Sequence, residues 1–100
     1  MTAIAVAQLA AFSESQRRTI RLIAMYLSSK DQRCFTYRGL RSYWDRLRMY
    51  SLEWHTVERA VRELARTGWL TRIQKGRRVI FCLSEKMENM LRDLGWLGQD

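Results

Sequence analysis

Proline is absent from this 100-residue chain, so its helices must be stopped by glycine and polar residues instead. Cysteine is scarce: Cys34 and Cys82 are the only two, too far apart in sequence for a metal-ligand pair motif. His55 is the single histidine, and the sequence offers no His–carboxylate–nucleophile arrangement. There is no glycine loop of the kind that cradles phosphates and no ligand cluster for a metal. The expectation is a protein that is not an enzyme and holds no metal or cofactor. Long apolar runs are missing too, none approaching the roughly 20 residues that span a bilayer. Met1–Phe12 lacks the cationic flank and cleavage site of a secretory signal. A soluble, cytoplasmic chain is expected, with no membrane partner and no evident small-molecule substrate. No internal repeat or low-complexity tract interrupts it, and 47% hydrophobic residues are enough for one core in one domain.

Acidic residues are the remaining shortage. Ten Asp and Glu face eighteen Lys and Arg, a formal net charge of +8. The excess is not spread evenly. Residues 36–78 hold eleven cations against four acids, residues 1–35 five against two, and residues 79–100 two against four. Such a concentrated field attracts polyanions over about a Debye length, and nucleic acid is the commonest polyanion in a cell. The alternative is a generally basic, solubilising surface. Fifteen of the eighteen cations are Arg, whose planar fork suits bidentate contact to phosphate and guanine.

The most informative stretch runs from Ser51 to Leu83. Val57, Ala60, Val61 and Leu64 recur at i, i+3, i+4 and i+7, which defines one apolar helical face. His55, Arg59, Arg62 and Arg66 fall on the opposite face, a row of cations along three turns. Ser51 is the expected cap, with Glu53 near the positive end of the dipole. Gly68 is the expected left-handed stop, with Trp69 covering Leu64. Two strand-like segments follow, Trp69–Gln74 and Arg78–Leu83, turning at Lys75-Gly76 with Gly76 supplying a positive φ.

Upstream, Met1–Phe12 reads as a short helix or a tail. Ser13-Glu14-Ser15-Gln16 fits a capping box, and Ile20, Ile23, Ala24 and Leu27 form the buried stripe of the helix that follows. Residues 33–36 suit a small strand. A further helix from Tyr37 carries Leu40, Trp44 and Leu47 at i, i+4 and i+7, with Gly39 in its first turn at a cost of up to about 1 kcal/mol. Ser84 caps a last helix ending near Leu94.

The order helix, strand, helix, helix, strand, strand with a basic hairpin tip resembles the winged helix-turn-helix family. The resemblance covers about residues 14–84 and is carried best by VERAVRELARTGWLTRIQKGRRVIFCLSE. It implies an α+β, mostly α fold: a three-helix core plus a β-hairpin wing, followed by a C-terminal helix. Residues 1–12 would be an N-terminal extension, 13–83 the winged domain and 84–100 a C-terminal segment. Leu52–Thr67 would be the recognition helix, Tyr37–Arg48 its supporting helix, and Lys75–Arg78 the wing tip.

His55 and Arg59 are then the candidates for base edges, Arg62 and Arg66 for the rest of the contact face, and Thr56 for a phosphate or thymine methyl. Lys75, Arg77 and Arg78 would reach the minor groove or flanking phosphates, and Arg38 and Arg41 would clamp the backbone. The alternative is a solvated face held by Glu58–Arg62 and Arg59–Glu63 pairs. Trp44, Trp69, Tyr43 and Phe81 read as core rather than as a stacking platform for single strands. In a winged helix the strand before the second helix pairs with the last wing strand, which would bring Cys34 and Cys82 together. A disulfide there stands against the commoner arrangement of two small buried hydrophobes. Met87, Met90, Leu91, Leu94, Trp96 and Leu97 exceed what a small core obviously needs; they form either a homodimer interface or a stripe folded back on the first helix. The expected function is a sequence-specific double-stranded DNA-binding transcriptional regulator, nucleoid-associated and acting by operator occupancy. A protein-docking winged helix and a non-specific architectural DNA binder are the alternatives.

Overall fold

The capping box at Ser13 forms as its residues dictate. The Ser13 hydroxyl accepts from the Gln16 backbone N–H at 3.2 Å, and Gln16 Oε1 accepts from the Ser13 N–H at 2.9 Å. In the computed structural model, which describes residues 2–98, this box opens α2, Glu14–Lys30. Ahead of it lies α1, Ala3–Ala10, so the N-terminal extension is helical. After it come β1 (Cys34–Phe35), α3 (Tyr37–Arg46), α4 (Trp54–Arg66), β2 (Leu70–Lys75), β3 (Arg78–Leu83) and α5 (Glu85–Asp93). Ile20, Ile23, Ala24 and Leu27 are buried as their spacing predicts, but so are Thr19, Leu22 and Tyr26. The extra burial follows from position: α2 packs against both α3 and α4, so one stripe is not enough.

Gly39 has its reason in that packing. A Cβ built on it would lie 2.5 Å from Tyr26 Oη, so the α2–α3 approach admits only a hydrogen there. Thr36 caps α3 by accepting from the Gly39 N–H at 3.1 Å. The helix ends two residues earlier than expected. Arg48 takes a left-handed φ of 54°, and the Met49 N–H returns to the Trp44 carbonyl at 3.2 Å, a Schellman stop made without glycine. Leu47 is therefore an exposed cap residue, not part of the buried stripe. Leu52 is drawn into the core at 2% exposure, and its carbonyl accepts from Trp44 Nε1 at 2.7 Å. That pins the turn and delays α4 to Trp54. Glu53, not Ser51, occupies the N-cap and makes no side-chain cap bond, while the Ser51 hydroxyl accepts from Arg18 at 2.9 Å.

Val57, Ala60, Val61 and Leu64 are buried, and α4 stops in the expected way. Gly68 has φ 83°, and the Trp69 N–H bonds the Leu64 carbonyl at 2.9 Å. β2 and β3 pair antiparallel from Leu70↔Leu83 to Lys75↔Arg78 around a two-residue Gly76-Arg77 turn, with φ 60° at Gly76. β1 pairs on the other side of β3, giving the sheet order β1-β3-β2. Leu70, Arg72 and Gln74 share the inner face with Val79, Phe81 and Leu83; Thr71, Ile73, Ile80 and Cys82 alternate outward.

Cys34 sits directly opposite Cys82 in this ladder, and the two sulfurs are joined as a disulfide. The Leu83 N–H to Arg33 carbonyl bond makes theirs a non-hydrogen-bonded pair, the closer of the two antiparallel spacings, here 4.0 Å between Cα atoms. Cys34 is exposed and Cys82 half-buried, unlike two buried hydrophobes.

The C-terminal stripe corrects a sequence expectation. Met87, Met90, Leu91, Leu94 and Leu97 are at most 5% exposed within the single chain and belong to the same core as Ala5 and Leu27. α5 packs against α1, and Trp96 lies under the Arg21 guanidinium, 4.6 Å from its ring centroid. The fold-back consumes this surface, so it is not free to form a dimer interface. The terminal segments are built into one core with the residues between them.

Candidate nucleic-acid interface

Because α4 buries its 57–60–61–64 stripe, His55, Arg59, Arg62 and Arg66 are forced outward, and all four are exposed. Thr56 is half-buried at the flank. Neither of the helical ion pairs expected to hold this face forms. Glu63 pairs with Arg66, its Oε2 accepting from Arg66 Nε at 3.1 Å, instead of with Arg59. Arg66 thereby holds the Glu63 carboxyl below the usual carboxylate range, first through this hydrogen bond. Among the described residues no carboxylate lies within salt-bridge reach of Arg59 or Arg62. At the helix start, His55 Nδ1 is 3.2 Å from Glu53 Oε2, so an acid stands at the very end that would meet base edges.

The cations divide between two sides of α4. Arg59 and Thr56 border a shallow cleft of about 300 Å³ shared with Ser13, Ser15 and Gln16 at the start of α2. Arg62 and Arg66 face the hairpin across a larger cleft of about 500 Å³ lined by Tyr37, Arg62, Ala65, Arg66, Arg72, Val79 and Phe81. Tyr37 and Val79 also border a neighbouring cleft with Arg38, Arg77 and Arg78. The wing and the start of α3 therefore extend one basic groove from Arg66 to the hairpin tip. Lys75 is exposed at the end of β2 beside this tip. Arg41 does not join the groove: its guanidinium lies over the Trp54 ring at 5.7 Å, near the start of α4.

Two groove residues have perturbed titrations: the Glu63 hydrogen bond raises Arg66, and Tyr37 is shifted as well. Burial pushes its phenol above the ordinary value, with the Arg62 charge opposing, so the group stays a neutral hydroxyl. Its oxygen is closed off from solvent and has no hydrogen-bond partner among the described residues. No group of three or more His, Cys, Asp or Glu that could hold a metal occurs among the described residues.

No family model matches the chain, and no curated protein matches it in sequence. Solved structures match it in shape. One is described as the protein structure of type III plasmid segregation TubR, at TM-score 0.65 and 15% identity, covering 100% of this chain and 92% of that one. Another is TubR bound to 24 bp of tubC from Bacillus thuringiensis serovar israelensis pBtoxis, at TM-score 0.64 and 15% identity, covering 95% and 94%. A TubR mutant matches at TM-score 0.65 and 14% identity. The fold is a winged helix-turn-helix.

In winged-helix terms α3 and α4 are the helix pair and the β2–β3 hairpin is the wing. Sequence reasoning missed Arg72, whose guanidinium donates to Gln74 Oε1 at 3.2 Å along the inner face of the wing. Period-two alternation places Arg72 on the face of Leu70, and that was the available signal. It also missed the exposed Tyr50, which donates to Asp45 Oδ1 at 2.6 Å and packs edge-on against Trp44 in the turn before α4. No spacing rule marks a residue in an irregular turn.

Proposed function

We propose that this chain is a sequence-specific double-stranded DNA-binding protein that reads the major groove with α4 and grips flanking backbone with its wing. The observation that carries the reading is the outward row on α4, with no salt bridge to Arg59 or Arg62, whose Arg62 and Arg66 adjoin the wing cations through the clefts beside the hairpin. A solvating face would gain from internal pairing; a DNA-contacting face keeps its guanidiniums available for phosphate and guanine. In the leading form of the proposal the protein is a transcriptional regulator that occupies an operator and blocks access sterically. A second reading, a DNA-binding protein of plasmid segregation, is favoured by the shape match to TubR bound to tubC.

The test is a titration of random duplex DNA at two salt concentrations, followed by selection of preferred sites. Six to ten phosphate contacts would weaken binding by about 10³–10⁵ between 50 and 200 mM salt. Arg59→Ala should relax discrimination by about 1–3 kcal/mol at one base pair while leaving non-specific binding largely intact. Enrichment of a single palindromic site supports the regulator, and salt-sensitive binding without enrichment favours an architectural DNA binder. No binding at moderate salt would sink both and favour a protein-docking role.

The homodimer belongs to the same proposal, with its contact moved to α1. Ile4 and Val6, 73% and 45% exposed, are the exposed large aliphatics at that end of the molecule. Ile4→Asp should then convert a sedimenting dimer to a monomer without unfolding it. A wild-type monomer at tens of micromolar would end the idea. No helix among the described residues is long and apolar enough to cross a membrane. The location proposed, as for a DNA-bound protein, is cytoplasmic and nucleoid-associated.

A further inference from the structure

The cleft between α4 and the inner face of the wing has a chemistry that phosphate contact alone does not use. Its walls are mostly carbon, from Ala65, Val79 and Phe81, and Phe81 meets Tyr37 edge-on at 4.9 Å between centroids. Arg62 and Arg72 flank this apolar floor. At about 500 Å³ the space lies in the range of small-molecule sites. A DNA phosphate would occupy the charged rim and leave the floor empty. The Tyr37 hydroxyl lies buried beside the Arg62 guanidinium and donates to no acceptor among the described residues.

We propose that this cleft binds a small anion with a flat apolar body, of the aromatic carboxylate class, with the ring against Val79 and Phe81 and the carboxylate on Arg62 and Arg72. The apolar floor rewards a hydrophobic body, and a guanidinium's planar fork rewards a planar, bidentate acceptor over a spherical one. A carboxylate oxygen that reached Tyr37 would also supply the hydroxyl's missing acceptor. Occupancy has a consequence for the proposed DNA contact, and this part rests on that reading. The ligand claims Arg62, which lies on the outward face of α4, so ligand and DNA compete for one guanidinium.

The experiment is a chemical-shift titration of the full chain with 1-naphthoate, alongside inorganic phosphate and the neutral 1-naphthalenemethanol. Saturable shifts at Tyr37, Ala65, Val79 and Phe81 are expected with naphthoate, at least about tenfold tighter than with either control. Arg62→Gln, an exposed substitution that leaves the core untouched, should weaken naphthoate by about tenfold or more. Shifts that never saturate, shifts centred elsewhere, or an unchanged affinity in Arg62→Gln would overturn the site. Equal binding of phosphate would reduce it to a simple anion seat and overturn the aromatic class. Saturating naphthoate should raise the apparent Kd for duplex DNA. Binding to both without competition would overturn the coupling, whereas a chain that binds naphthoate but no DNA would overturn the DNA reading and leave the site standing.

Discussion

Replacing Gly39 by Ala should destabilise this protein even though alanine is the better helix former. Inside α3 the substitution removes backbone entropy from the unfolded chain and gains up to about 1 kcal/mol. The new methyl, however, would lie 2.5 Å from Tyr26 Oη and 3.3 Å from Thr36 Oγ1. A carbon–oxygen contact needs close to another ångström beyond the first of these. Yielding means displacing the Tyr26 ring, which is 7% exposed and lies 5.1 Å from that of Tyr43. Overpacking of this kind costs about 1–3 kcal/mol, so after the gain in helix propensity the net loss should be up to about 2 kcal/mol. Tyr26→Phe removes the offending oxygen, and the nearest ring carbon, 3.5 Å away, then makes an ordinary contact. In that background Gly39→Ala should stabilise by up to about 1 kcal/mol. Urea unfolding of the four proteins measures the coupling directly. If Gly39→Ala stabilises the wild type, or shifts both backgrounds equally, the close approach of α2 and α3 is not what keeps glycine there.

The disulfide closes a sequence separation of 48 residues, for which the chain-entropy model gives about 4 kcal/mol. Cys34→Ser with Cys82→Ser, or reduction of the wild type, should lower the denaturation midpoint accordingly, and alkylation without reductant should find no free thiol; identical midpoints would show that the bridge contributes nothing. Arg33, first, and Arg92 hold the Glu88 carboxyl below its usual range, with Arg33 Nε donating at 2.6 Å. A depressed folded value means this contribution is complete above the unfolded carboxylate value of about 4.3 and fades as pH falls through the lower folded one. Glu88→Gln should therefore lower stability near neutrality and flatten its acid dependence; a slope matching wild type between pH 5 and 3 would contradict it.

Local chemistry accounts for most of what was legible. Ser13, Ser84, Thr67-Gly68 and the Lys75-Gly76 region each make their cap or turn from groups within a few residues, so their outcome needed no knowledge of the rest of the chain. The exposed row on α4 was legible for a related reason: once 57, 60, 61 and 64 are buried, helical geometry leaves His55, Arg59, Arg62 and Arg66 no other side. The ends of the helix pair were not legible. Leu47 continues the apolar spacing of α3, yet the chain reverses at Arg48, because pulling Leu52 into the core requires a turn there.

Sequence alone thus determined the element order from α2 onward, the caps at Ser13, Gly68 and Ser84, the hairpin and the direction in which the cations of α4 point, since all of these follow from periodicity and short-range hydrogen bonding. Tertiary packing decided the rest. It chose Arg66 over Arg59 as the partner of Glu63, set Cys34 against Cys82, and enlisted Arg72 beside Arg62 across a cleft that no sequence interval describes. It also turned the C-terminal apolar stripe inward against α1 instead of outward to a second copy. An apolar face states only that it must be covered; which surface covers it depends on where the whole chain brings that surface.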